Sequence, residues 1–293
     1  MKLGGRGGIP MTIPHETVHK RFPIGKAVDL EPNSRRIKVY QLPHRDAVTK
    51  MVKALKEMGY REKCDKIIFY VKKEEKDALR GSDFVPEGFI DGFFQGEPAY
   101  IYSMFLDRTR NRPVAWEEEQ QVMRIVKKDN KTIETFSLPE GYVMTSATES
   151  DAPEMADLYH TVFETYPTPM NNPRFIVDVM HRQVYFTIVK YRGQIVSACS
   201  TDLLPLFNCA EISDCATLPE HTNRRLLSHQ FSHQIKQMRR KGVQTLFCYA
   251  RAVSAGMNLI NARHGFTFGG RLEQNSNIAG RLECMNIWYK KLF

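Results

Sequence analysis

The chain has 293 residues, of which 42% are hydrophobic and 26% charged, enough for two ordinary domains that each bury a core. No apolar run approaches the ~20 residues of a membrane helix, and the opening MKLGGRGGIPM lacks the apolar segment of a secretory signal, so a cytoplasmic protein with a Gly-rich lead-in is expected. Six scattered cysteines with no CxxC pair or Cys/His cluster argue against a metal site, and a formal net charge of +9 suits an anionic ligand.

Residues 1–35 carry few periodic signals and are expected to be irregular. Residues 36–41 (RIKVYQ) alternate like a strand. Val48, Met51, Val52, Leu55 and Met58 form a helical stripe that Gly59 ends. Residues 66–72 (KIIFYVK) are a buried-strand candidate, 74–79 a short helix, and 84–94 and 99–106 two more strands. This predicts a smaller α/β N-terminal domain over residues 36–107. Residues 108–140 are densely charged and read as a linker, helical over 115–128, with Val122 and Ile125 spaced to dock on a neighbour.

The pattern restarts at Gly141. Residues 142–147 read as a strand and 151–165 as a helix, with Ser150 or Asp151 as N-cap and Pro153 in its first turn. A Pro-rich loop and a second helix, 175–182, follow. Residues 184–191 and 194–203 predict a hairpin across Arg192-Gly193. Residues 208–218 form the next strand, ended by Pro219, which cannot donate to a ladder. A long helix over 225–241 stops at Gly242. Its Arg239-Arg240-Lys241 run reads as a solvated face rather than a nucleic-acid patch. Residues 243–251 are a strand, 254–264 a helix capped by Ser254, and 267–271 and 285–290 closing strands. The second domain therefore spans 141–293. The expected class is α/β, with a mixed, mainly antiparallel sheet flanked by helices.

That order, with a Pro-ended strand running into a long helix, resembles the GNAT acetyltransferase superfamily. AEISDCATLPEHTNRRLLS (residues 210–228) is similar to its fourth strand, pyrophosphate loop and third helix, and NARHGFTFGGR to its helix-then-Gly-Phe end. More narrowly, SDCATLPE, RAVSAGMN, NSNIAGRLECMNIWYK, YPTPM and DGFFQGEPAYIYSMFL resemble β-lysine N6-acetyltransferases, which make the osmolyte Nε-acetyl-β-lysine. The resemblance implies acetyl transfer from acetyl-CoA to a small-molecule amine, most closely the ε-amine of β-lysine. It implies no metal, nucleic-acid or membrane partner, and a homodimer is compatible with it.

An alkyl ammonium titrates near 10.4, so freeing the amine at pH 7.5 costs about 4 kcal/mol, and a carboxylate near it is needed. Glu211 and Asp214 lie on the fourth strand of the second domain. In related lysine acetyltransferases the base is a Glu at the position matching Glu211, which is the preferred candidate. Three residues apart, the two face opposite sides of a regular strand, so one faces the site unless a bulge intervenes. The plainer reading of either is a salt-bridged strand-end carboxylate.

The resemblance further implies that the backbone of Ala216, Thr217 and Leu218 pairs with the pantetheine where the fourth strand splays from the fifth. Asn223, Arg224, Arg225, Leu226, Leu227 and Ser228 would hold the pyrophosphate, with Ser254 nearby at the next helix start. The superfamily pattern Gln/Arg-x-x-Gly-x-Gly/Ala is departed from here. Thr222, Arg225 and Leu227 occupy its signature positions, where glycines let phosphate approach backbone amides. Arg224 and Arg225 offer guanidinium charge instead. The departure leaves a competing class open, a non-catalytic ligand-binding or regulatory module with a degenerate loop. The Tyr that serves many members as general acid is Asn261 here, with Tyr249 and Tyr289 as stand-ins. Arg251 is the candidate for a substrate carboxylate. Tyr166, after the first helix, and Asn275 and Asn277, in a loop between the last strands, complete the substrate side, against plainer roles in turns and loop packing. The N-terminal KIIFYVKKEEKDAL…GFIDGFF…AYIYSMFL loosely resembles VQTLFCYA…GFTFGG…NIWYKKL, either a degenerate half-copy of the fold or a coincidence of two short patterns.

Overall fold

The computed structural model describes residues 28–293, apart from Ser82 and residues 134–136. Its first half contains β1 (Val28–Glu31), β2 (Arg36–Val39), α1 (Val48–Arg61), β3 (Lys66–Val71), a 3-10 segment (Lys73–Leu79), β4 (Val85–Phe94), β5 (Glu97–Phe105) and α2 (Trp116–Lys128). Its second half contains β6 (Tyr142–Ser146), α3 (Ala152–Val162), α4 (Pro173–Met180), β7 (Val184–Tyr191), β8 (Gln194–Leu204) and β9 (Cys209–Thr217). It closes with α5 (Leu226–Arg240), β10 (Thr245–Arg251), α6 (Ala255–Arg263), β11 (Thr267–Ile278) and β12 (Arg281–Lys291). Among the described residues, no helix is long and apolar enough to cross a membrane.

All twelve strands join one sheet, in the order β1-β2-β3-β5-β4-β11-β12-β10-β9-β8-β7-β6. Only β2/β3 and β9/β10 pair in parallel, so the sheet is mixed and mainly antiparallel, as expected. Read outward from the β4/β11 seam, the two sides match strand for strand: β4-β5-β3-β2-β1 and β11-β12-β10-β9-β8. A helix links each parallel pair, α1 on one side and α5 on the other. At the seam Gly88 pairs with Gly270, and a Cβ on either would meet backbone of the opposite strand, so glycine is needed there.

Buried charged side chains of the first half tie it to the backbone of β11. Lys66 Nζ lies 2.9 Å from Glu87 Oε2, and donates to the Glu273 carbonyl at 2.8 Å. Glu87 also accepts from Glu273 N at 2.7 Å and from Ser103 Oγ. Arg110, fully buried, donates to the carbonyls of Arg35, Ser34 and Gln274 at 2.6–2.9 Å and pairs with Asp65. α1 packs Leu55 and Met58 on Ile37, Ile67 and Phe69. α5 shares a core with Ile212, Leu246 and Trp288, while α3 and α4 cover Phe186, Ile188 and Ala198.

The structure corrects several expectations. Of the lead-in, residues 1–27 lie outside the described residues, but Val28–Glu31 is an edge strand on β2. Gly59 does not end α1, which runs on to Arg61; a Cβ there would lie 2.5 Å from Leu106 Cδ1 and 2.8 Å from Cys64 O, so close packing accounts for the glycine. The charged segment is bound to the body. α2 buries Val122, Met123 and Val126 while Ile125 stays exposed, and Glu119 and Asp129 pair with Arg271 and Arg263 at 2.7 and 2.8 Å. Of the two N-cap candidates for α3, Asp151 holds the position, and its side chain turns back to form a capping box with Thr148 around the preceding 3-10 turn. The last hairpin turns at Ala279-Gly280, so Asn275 and Asn277 lie on strand β11, not in a loop.

Candidate active site

β9 and β10 pair at three positions only: Cys209, Ala210 and Glu211 against Thr245, Leu246 and Phe247. Past Glu211, β9 continues along β8 and β10 along β12, and a wedge opens between them. A cavity of about 420 Å³ occupies it. Thr222 and Leu227 line it near the start of α5, Ser254 near the start of α6, and Asp202, Glu211 and Asp214 its acidic part. Leu218 N donates to Val196 O at 2.9 Å and Ala216 O accepts from Ser197 Oγ at 2.9 Å, so both residues face β8. Strand alternation then turns the Thr217 backbone to the open edge. Of the three residues expected to offer backbone there, Thr217 is the one that does.

A bulge explains how two carboxyls three apart reach one cavity. Ala198 opposes Ala216 and Ser200 opposes Ser213, so Cys199 faces both Asp214 and Cys215. Asp214 takes φ 46°, and the extra residue brings it to the side of Glu211. A third carboxyl, Asp202, sits directly across from Glu211 in the β8/β9 register. Sequence reading missed it. Its one signal is a lone charge in the otherwise uncharged run SACSTDLL, and its place beside Glu211 depends on hairpin register.

Burial pushes Glu211 up to about 7, mainly against the opposing pull of Lys38. Burial, then the negative charge of Asp214 and Glu211, holds Asp202 far above the carboxylate range. Asp214 is also raised by burial, moderated by hydrogen bonds from Ser200 and Tyr166. Ser200 Oγ lies 2.8 Å from Asp214 Oδ2 and 3.1 Å from Asp202 Oδ1. The Ser200 hydroxyl therefore sits between the two acids and holds them side by side, next to Glu211.

The N-terminal half reaches the same cavity through Glu31, Arg36 and Lys38. Both cations are buried. Arg36 donates from Nε to Glu31 Oε2 at 2.6 Å, and from Nη1 to Asn275 O at 2.9 Å and Ser276 Oγ at 2.8 Å. Lys38 Nζ lies 2.7 Å from Glu31 Oε1. The sequence showed only an alternating strand here, because the partner half is some 170 residues away along the chain.

At the start of α5, Asn223 and Arg225 both take φ 60°. Left-handed backbone costs a non-glycine residue about 1–2 kcal/mol. Arg225 thus keeps the turn that a glycine would give at its signature position. Its side chain does not cap the first-turn amides of α5, a helix start of the kind that receives anions. Arg225 and Ser228 border a second depression with Asn130, Lys131 and Arg263. Arg224 lies over the Tyr142 ring at 5.8 Å, Leu226 is buried in the core beside it, and Ser254 Oγ accepts from Met257 N at 3.5 Å.

On the substrate side, Tyr166 lines the cavity with Asp214. Arg251 lines it too, but its Nη2 is 3.2 Å from Glu283 Oε1, which Arg281 shares. Asn275 and Asn277 do not line it: Asn275 offers its carbonyl to Arg36, and Asn277 Oδ1 accepts from Thr165 at 3.4 Å. Tyr249 is in the cavity wall, its hydroxyl 2.7 Å from that of Tyr70, whereas Tyr289 is outside it. Asn261 is buried, its Nδ2 bonded to Met257 O at 3.0 Å, and does not reach the cavity.

No family model matches the chain. It is 33% identical over 267 residues to the N-acetyltransferase YodP of Bacillus subtilis, covering 90% of this chain and 95% of that one. It is 32% identical over 259 residues to a β-lysine N6-acetyltransferase of Methanosarcina mazei, covering 82% and 96%. A β-lysine N6-acetyltransferase of Methanococcus maripaludis is 28% identical over 243 residues, covering 83% and 88%. Among solved structures, a ribosomal-protein-alanine N-acetyltransferase from Brucella melitensis is 18% identical, with a TM-score of 0.45 over 51% of this chain and 99% of that one. YncA from Salmonella typhimurium, an acetyltransferase crystallised with acetyl-CoA, is 16% identical, with a TM-score of 0.45 over 53% and 95%.

Proposed function

Because this chain belongs to the family of the β-lysine N6-acetyltransferases, and is an N-acetyltransferase, we propose that it transfers acetyl from acetyl-CoA to the ε-amine of β-lysine. The observation that carries the reading is Glu211, a carboxyl poised at about 7 at the point where β9 leaves β10. A carboxyl of that strength is about half ionised at neutral pH, so it is available as carboxylate and is basic enough to take a proton from the ammonium as the amine attacks. Asp202 and Asp214 add two further acidic groups to the cavity beside Glu211 to receive a cationic acceptor. Acetyl-CoA supplies the activated acetyl group. The start of α5, the left-handed turn at Arg225 and the free edge at Thr217 fit its pyrophosphate and pantetheine. In this reading the product, Nε-acetyl-β-lysine, serves as a cytoplasmic osmolyte.

The test is direct. Purified protein is given acetyl-CoA and β-lysine, thiol release is followed, and the product is located by NMR. One thiol per β-lysine acetylated at the terminal amine is expected. Turnover of lysine or a polyamine with none of β-lysine overturns the acceptor, and no calorimetric binding of acetyl-CoA at millimolar ligand overturns the co-substrate.

A further inference from the structure

We propose that the N-terminal half supplies the anchor for the acceptor's carboxylate, with Lys38 as the contacting cation and Glu31 and Arg36 holding it in place. The inference rests on the acceptor reading above. The cavity takes its charges from two sources. The strands β8 and β9 bring three carboxyls, Asp202, Glu211 and Asp214, and β1 and β2 bring the buried cations Arg36 and Lys38 with their shared partner Glu31. A diamino acid carries both matching charges, ammonium groups at one end and a carboxylate at the other.

Donor accounting picks out the residue. Arg36 has five N–H groups. Nε and Nη2 point at Glu31, and Nη1 serves Asn275 O and Ser276 Oγ, so the guanidinium is clamped between β1 and β11. Lys38 Nζ has three N–H groups, and its one ion-pair or hydrogen-bond partner among the described residues is Glu31 Oε1. A buried ammonium with donors to spare is costly unless something completes its shell. A carboxylate does so with two oxygens. Glu31 serves both cations at once, so within this triad two positive charges share one carboxylate. Arg251, the cation that the sequence favoured, is instead held by Glu283. The assignment gives the N-terminal half a role that its lack of catalytic motifs conceals: β2 reads the acid group while β9 works on the amine.

The probes are β-lysine and its carboxamide, which keeps both amines and the chain length but loses the negative charge. With the unmodified full-length protein, kcat/KM should favour the acid about 10- to 100-fold, the worth of one charge-assisted contact, and the difference should lie in KM. In Lys38→Met that ratio should collapse toward one, and Lys38→Arg should restore part of it. If Lys38 only balances charge in the fold, the ratio survives in Lys38→Met while both rates fall together. An unmodified enzyme that uses acid and amide alike overturns the proposal without any variant. Should β-lysine not be a substrate at all, the acceptor reading fails on its own. Calorimetry with 6-aminohexanoate against 1-aminohexane then decides the anchor: preference for the acid, lost in Lys38→Met, sustains it, and equal binding overturns it.

Discussion

Glu211 combines two demands that pull against each other. Its raised pKa makes it a base at neutral pH, and the same burial makes its charge a burden on the fold. The parent kcat/KM should climb as pH rises through about 7, where Glu211 loses its proton. Glu211→Gln should remove that limb and lower the rate roughly 10²–10⁴-fold, recovering in part at high pH as solvent supplies free amine. A pH–rate series with β-lysine measures this, and a wild-type rate at pH 7 rejects the role. The stability consequence has the opposite sign. A carboxyl raised from 4.5 to about 7 stabilises the fold fully below 4.5, and that contribution is lost as pH passes through 7. At pH 8 the Gln variant should therefore melt higher than the parent, by an equivalent of at most about 3 kcal/mol, and the two should converge near pH 4. Asp214→Asn keeps an acceptor for Ser200 and tolerates the left-handed backbone. It should retain the plateau rate within about tenfold and shift the limb to lower pH, because a negative neighbour is gone. A large loss in this variant alone would move the base to Asp214.

The strands and helices themselves were legible from periodicity, and the errors fell where packing overrides local signals. Gly59 looks like a helix stop and is a helix interior, because Leu106 and the Cys64 carbonyl leave no room for a Cβ. A bulge cannot be read from SDCAT, since it exists only in the pairing of β9 with β8. The α5 loop shows the reverse case. Its side chains depart from the glycine pattern, while the backbone at Arg225 keeps the left-handed turn. That turn predicts an ordering of variants: Arg225→Gly should be more stable than Arg225→Ala by about 1 kcal/mol, since Ala retains the Cβ without any charge contact. Urea unfolding measures the difference, and an Ala variant equal to or better than Gly would show that the turn is not held in the left-handed region.

At the scale of the whole molecule, the two halves form one sheet whose strand order mirrors about the Gly88/Gly270 seam. We propose a shared ancestry for the mirrored halves as the simplest account of that order. The seam is tied by charges in the interior, and removing one partner leaves the other buried alone. Lys66→Met should cost about 3–5 kcal/mol, because Glu87 then keeps its charge with only Ser103 and Glu273 N as donors. Chemical denaturation reads this directly; a loss below about 1 kcal/mol would mean that this buried charge cluster does not anchor β11.

By itself the sequence determined the order and kind of most elements and a short list of carboxyls for amine chemistry. Those follow from neighbours within a few residues, through apolar period, caps and the Pro and Gly stops. Only the tertiary structure decided which groups share the cavity. Asp202 enters through hairpin register, Asp214 through a bulge, and Arg36 and Lys38 through a sheet that brings β2 to the far half of the chain. Asn275 and Asn277 leave the lining for the same reason, since one residue of register decides the face on which a strand side chain stands. Long-range pairing is set by burial of the whole sheet, and no local window of sequence contains it.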